Sequence, residues 1–98
     1  MNPRPWRLRG LPSVEAEGIV VPLACTRPSR TLGLALLERS RAGQGLLIPH
    51  CRSVHTFGMR FDLDQGFSDC DGLTVRIDRQ VPPGRLLFER SADRVLEL

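Results

Sequence analysis

The sequence predicts an α+β fold: a mostly antiparallel β-sheet forming a small barrel- or sandwich-like core, with one helix packed on it. Three observations predict it. Short apolar or alternating runs recur from Gly18 to Leu98, separated by Gly, Pro and Asp-Gly turn signals. Only one segment, Arg27–Arg39, carries a helical period. The pair Asp71-Gly72 stands between two strand-like runs, the strongest short-range signal for a hairpin. At 98 residues the chain holds one domain with a modest core.

The elements follow in order. Met1–Pro12 carries Arg4, Arg7 and Arg9 and three prolines around Trp6. Residues 1–17 therefore read as a basic, proline-rich arm, loose on a compact domain of residues 18–98. No apolar stretch follows those arginines, so the arm is not read as a secretory signal. Gly18–Ala24 (GIVVPLA) is β-branched and reads as a strand, with Pro22 implying an edge or a bulge. Thr26 is a good N-cap for the helix, and Pro28 is tolerated in its first turn. Leu32, Ala35, Leu36 and Arg39 then share one stripe, widened by Leu34 and Leu37. Gly43-Gln44-Gly45 ends the unit, and Leu46–Pro49 is a second short strand.

Ser53–Phe61 alternates, so Ser53, His55, Phe57, Met59 and Phe61 are expected on the inward face of one strand. Phe67–Cys70 and Leu73–Ile77 form the hairpin about Asp71-Gly72. Pro82-Pro83-Gly84 turns the chain into Arg85–Phe88, and Val95–Leu98 is the last strand.

Arg4, Arg7 and Arg9 account for the whole net charge of +3; the remainder of the chain sets eleven arginines against eleven carboxylates. That balance leaves no obvious footprint for nucleic acid outside Arg4–Arg9. All 14 basic residues are arginine, scattered rather than clustered, which fits a GC-rich coding bias. The longest apolar runs fall far short of the ~20 residues of a membrane span. Three widely spaced cysteines, Cys25, Cys51 and Cys70, do not suggest a disulfide framework, so a reducing cytoplasm is the expected setting.

Chemistry-bearing residues gather between His50 and Asp64. His50, Cys51 and His55, with Asp62 and Asp64, look like metal ligands. On a strand, however, four residues span roughly 13 Å, while zinc needs its ligands about 2.0–2.3 Å from one centre. No metal and no cofactor is therefore expected. A Cys-His nucleophilic pair would need a thiolate brought to His55 by tertiary folding. Asp62 and Asp64 share a strand face and serve acid–base chemistry only inside a cleft. Gly43-x-Gly45 precedes a strand rather than a helix and is no phosphate loop.

The run CRSVHTFGMRFDLD in Cys51–Asp64 resembles the core signature of the domain of unknown function 192 family of small prokaryotic proteins. Ala24, Thr26, Arg30, Gly33 and Leu34 fit its Ala-x-Thr start, arginine and Gly-Leu helix. Gly43–Leu47, Asp71-Gly72 and Val95–Leu98 keep the order and spacing of its later motifs, so the resemblance covers about Val20–Leu98. It implies a β-rich α+β domain with one packed helix and assigns no catalytic residue, cofactor or substrate. Arg30, His55, Phe57, Met59 and Asp64 stand at positions compatible with a ligand pocket of apolar floor and convergent polar groups.

Several departures carry expectations. Leu36-Leu37 replace a frequent Gly-Arg, which implies a longer helix. Gln65-Gly66 replace apolar residues, which implies a weakened or bulged strand. Relatives often continue beyond the position of Leu98, which implies a last strand without a covering partner.

The expected function is a non-enzymatic module binding a small molecule or a protein. The alternatives are a small enzyme using His55 with Asp64 or a cysteine, and a nucleic-acid accessory acting through the arginine arm.

Overall fold

The computed structural model describes residues 6–37, 39 and 42–98. Met1–Pro5, with Arg4, lie outside the described residues, as do Glu38, Ser40 and Arg41. Among the described residues, eight strands and one α-helix follow a 3₁₀ turn at Trp6–Leu8. The strands are β1 (Ser13–Ala16), β2 (Ile19–Pro22), β3 (Leu46–Pro49), β4 (Ser53–His55), β5 (Leu63–Ser68), β6 (Thr74–Val81), β7 (Leu86–Phe88) and β8 (Arg94–Glu97). The helix α1 is Arg27–Leu32.

The strands pair into three sheets. A four-stranded sheet runs in the order β3-β8-β5-β6, flanked by the two-stranded β1-β2 and β4-β7. Among the described residues every strand pair is antiparallel, and a parallel bridge joins Leu23 to Leu47. The α+β, mostly antiparallel class expected from the sequence is the one observed. Among the described residues, no ring of strand pairing closes these sheets into a barrel.

Alternation divides the four-stranded sheet into two apolar faces. Leu46, Ile48, Leu63, Phe67 and Val95 point into the main core, where Leu8, Leu34, Leu37 and Val54 meet them. Leu47 and Leu96 point the other way, and Val21 from the β1-β2 hairpin covers them. Fully burying such a side chain contributes about 1.5–3 kcal/mol.

The last strand is not uncovered. β8 lies inside the sheet between β3 and β5, with Leu47 opposite Leu96 and Phe67 opposite Val95. The expectation of a strand without a covering partner, drawn from relatives that continue further, is corrected by this central position, where neighbours on both sides complete its ladder.

The looseness expected before Gly18 does not extend to Trp6–Ala16. Ser13–Ala16 pairs with Ile19–Pro22 through a tight turn in which Glu17 and Gly18 both take positive φ, 52° and 80°. Two such residues match the right-handed twist of a hairpin. Leu8 is buried in the main core. Arg7 donates through Nε to the Gly33 carbonyl at 3.0 Å and through Nη2 to that of Ala35. These carbonyls lie just past the helix end, where backbone acceptors lack intrahelical partners.

The helix is also shorter than its stripe suggested. Thr26 caps it in a reciprocal capping box with Ser29. It stops at Gly33, whose φ of 50° lets the chain turn, and Leu36 then takes φ 64°. Leu34, Ala35 and Leu37 enter the core from this irregular turn. The apolar stripe was real, but tertiary burial rather than a helix created it.

Ser53–Phe61 is strand only over its first three residues, and its facing is the reverse of that expected. Val54 and Thr56 are buried while His55 and Phe57 are exposed. The Thr56 hydroxyl donates to Pro82 O at 2.7 Å and accepts from Arg85 N at 2.8 Å, so its burial leaves no unsatisfied polar group. A turn through Gly58 (φ 79°) then resets the phase: Met59 returns to the core and Phe61, half-buried, packs against it, both as expected.

Two stability outcomes follow. Leu8→Ala should cost about 2–5 kcal/mol in chemical denaturation, whereas Trp6→Ala should stay within about 0.5 kcal/mol. Equal, small effects would show that the N-terminal segment does not pack. Val54→Ala should cost about 1–3 kcal/mol and His55→Ala under about 0.5; the reverse ranking would restore the facing read from alternation.

Candidate functional site

The last turn of α1, the end of β3 and β4 enclose a narrow cleft. Arg30, Cys51, His55, Met59 and Glu97 line it, with Gly33 and Val54 beside them. Each is positioned by its element. Arg30 lies in the last turn of α1 and donates through Nη1 to Pro49 O and through Nη2 to His50 O at 3.2 Å. It ties the helix to the end of β3, where those carbonyls leave the strand ladder. Glu97 faces the core side of β8, opposite Leu46 on one neighbour and Gln65 on the other.

Glu97 is 4% exposed, and Gln65 Nε2 donates to its Oε2 at 2.8 Å. Burial pushes its carboxyl above the ordinary range, and the Gln65 bond only partly offsets this. A Cβ at Gly33 would stand 3.2 Å from Glu97 Oε1, so the absent side chain leaves space for that carboxyl. Gln65 Oε1 is buried and has no hydrogen-bond partner.

Cys51 donates its thiol to Ser53 O at 3.0 Å. Burial pushes that thiol up; the Ser53 bond and Arg30 oppose the shift, and Glu97 adds to it. A thiol held protonated is the opposite of an activated nucleophile. The cleft itself encloses about 50 Å³, against roughly 300–1,000 Å³ for ordinary ligand pockets.

A second feature adjoins the cleft. In the β4–β7 ribbon Ser53 lies opposite Phe88, Val54 opposite Leu87 and His55 opposite Leu86. Val54 is turned into the core and Leu87 packs against it, so alternation turns Ser53, His55, Leu86 and Phe88 outward. Leu86 is 69% exposed, Phe88 60% and Phe57 55%. Phe57 stacks on His55, ring centroids 5.5 Å apart and planes 20° from parallel.

Of the five residues expected at a pocket, Arg30, His55 and Met59 line the cleft. Phe57 is joined to them through its stack on His55. Asp64 is placed elsewhere. It points to the opposite face of β5 from Gln65 and lines a groove with Gly66, Ile77, Arg79 and Leu96. There its Oδ1 accepts from Gln80 N at 2.8 Å and its Oδ2 lies 3.9 Å from Arg79 Nη1. His55 and Asp64 are therefore not brought together. Among the described residues, no group of three or more His, Cys, Asp or Glu is placed to hold a metal ion. Nor is any helix there long and apolar enough to cross a membrane.

Glu97 was missed, since a lone acid in a Val-Leu-Glu-Leu run reads as a solvated strand residue. Its exact alternation with Val95 was the available signal: if Val95 is core, so is Glu97. Leu86 and Phe88 were also missed, because the Arg85–Phe88 run gives no sign of which face lacks a cover.

The model of the domain of unknown function 192 family, described as "Uncharacterized ACR", matches residues 12–98. The chain belongs to this family. No curated protein and no solved structure matches it. The family's frequent glycine at the position of Leu36 fits the backbone, since φ 64° is a conformation glycine adopts freely. The departure at Gln65-Gly66 coincides with a register shift between β5 and β6 at Leu63/Gln65.

Because the Glu97 pKa is raised by folding, its contribution to stability is fully present below the ordinary carboxylate pKa. It is lost as pH rises through the raised value. Glu97→Gln removes the ionisation and supplies a donor near the orphaned Gln65 Oε1. Its melting temperature should exceed that of the native protein at pH 8, with the gap closing toward pH 4.5. A variant less stable at pH 8 would show that Glu97 is held as a stabilised carboxylate.

Proposed function

We propose that this domain is a non-enzymatic binding module whose contact surface is the outward face of the β4–β7 ribbon and the mouth of the adjoining cleft. The carrying observation is the exposure of Leu86 and Phe88 on the outward face of one small sheet, with exposed Phe57 joined to it through its stack on His55. Exposed large apolar groups in a contiguous patch mark interaction sites on soluble domains more often than isolated ones do. His55 and Phe57 belong to this surface; Arg30 and Met59 line the cleft beside it. Asp64 has no part in it.

Three features favour binding over catalysis. The cleft has room for little more than a water or the tip of a side chain. The thiol within it is held protonated. Asp64, the carboxylate that an acid–base reading pairs with His55, lies on another sheet, in the groove with Arg79 and Leu96. Arg7 is engaged with the Gly33 and Ala35 carbonyls, which also weakens a reading in which the N-terminal arginines reach for nucleic acid.

The test is an NMR titration of the ¹⁵N-labelled domain with three probes: an eight-nucleotide oligothymidylate, a hexaglutamate peptide and phosphatidylglycerol vesicles. At least one should shift resonances clustered at residues 52–57 and 85–90. Shifts confined to the Asp64 groove, or none with any probe, would remove the proposed surface.

A further inference from the structure

Resting on that reading, we infer that the β4–β7 face is a stacking platform for single-stranded nucleic acid. The charge balance read from the sequence hides a local imbalance. Residues 49–61 and 82–91, the two segments containing β4 and β7, carry Arg52, Arg60, Arg85 and Arg90 against the single carboxylate Glu89. All four arginines are exposed. Glu89 is itself engaged, its Oε2 accepting from the Ser91 hydroxyl at 2.7 Å and from Ser91 N at 3.1 Å.

Strand pairing places two of these arginines at the ends of the ribbon. Thr56 N donates to Arg85 O at 2.8 Å at one end of the ribbon, and Glu89 N to Arg52 O at 2.8 Å at the other. Arg85 and Arg52 thus stand next to the two ends of the ribbon whose outward face carries His55, Leu86 and Phe88. Exposed arginines next to both ends of a ribbon with an apolar outward face complement an anion whose interior is planar and apolar.

The aromatic geometry selects among polyanions. Phe57 already lies nearly parallel to a neighbouring planar ring, the arrangement a base would extend. Phe88 is exposed on the same face, diagonal to His55. Exposed aromatics on antiparallel strands bind unstacked bases, while arginines take the phosphates. A duplex hides its bases and offers the rings nothing to stack on. An acidic peptide satisfies the arginines but leaves the rings without partners. Three residues of strand span roughly 10 Å, so the platform accommodates about two or three nucleotides and binds with modest affinity.

Fluorescence anisotropy with labelled oligothymidylate and oligouridylate of eight nucleotides tests this across a salt series. Binding should weaken with salt by about 0.7 log units per log unit of salt for each phosphate neutralised. Phe57→Ala and Phe88→Ala should each weaken binding about tenfold or more without altering that slope. Both side chains are exposed, so an unchanged melting temperature verifies the fold. Arg85→Ala should lower the slope, whereas Arg79→Ala, in the Asp64 groove, should change nothing. Binding undiminished in both Phe variants, or equal binding to duplex, would overturn the inference. Hexaglutamate or vesicle binding at residues 52–57 and 85–90 without oligonucleotide binding would overturn it while leaving the binding surface in place. Failure of all three probes removes both.

Discussion

The structure depends on the insertion of β8 between β3 and β5. Residues 94–97 hydrogen-bond to one strand that begins 48 positions earlier, at Leu46, and to another that ends at Ser68. Alternation along this strand serves three places at once. Val95 fills the main core, Leu96 meets the β1–β2 hairpin on the other face, and Glu97 forms the base of the cleft. A one-residue slip would exchange all three and set a carboxyl under the hairpin. Gly45 guards the register from the neighbouring strand: with φ 151°, a Cβ there would overlap the Glu97 carbonyl oxygen.

The same register explains the buried polar pair. Gln65 and Glu97 are directly opposite on β5 and β8 and both face the core. Burying an acid is costly unless it is hydrogen-bonded or neutral. Here one bond from Gln65 is joined to a raised pKa, which is how a buried carboxyl reduces its own desolvation penalty. Two apolar residues would pack the site more cheaply. The pair instead gives the cleft a polar base beneath Arg30 and Cys51, without assembling a reactive group.

Charge shows how little a net value conveys. Apart from Arg4, Arg7 and Arg9 the chain is neutral overall, yet folding separates its charges. Asp64 and Arg79 meet in the groove, and Arg76 and Asp78 pair along β6 at 2.7 Å. The segments that contain β4 and β7, by contrast, carry exposed arginines and exposed rings. Linear scatter and spatial clustering are compatible, because antiparallel pairing joins segments about thirty residues apart.

The α+β class, the Thr26 cap, the Asp71-Gly72 hairpin and the strands at Leu46 and Val95 were legible because each rests on neighbours in sequence: a cap, a turn pair, a β-branched run. So was the gathering of Arg30, His55 and Met59, though only through resemblance to a family. What the sequence alone could not determine was phase and partner. Alternation in Ser53–Phe61 was visible, but which half of it met the core depended on the turn at Gly58 and on the bonds that Pro82 and Arg85 supply to Thr56. The stripe after Gly33 was visible too, but a positive φ at Leu36 and acceptance of its N–H by Gly58 O bury those residues without a helix. The separation of Asp64 from His55, and the burial of Glu97, were likewise decided by which strands lie side by side. Local chemistry fixes where elements begin and turn; only the tertiary pairing decides which face of each is wet, and a site is made of faces.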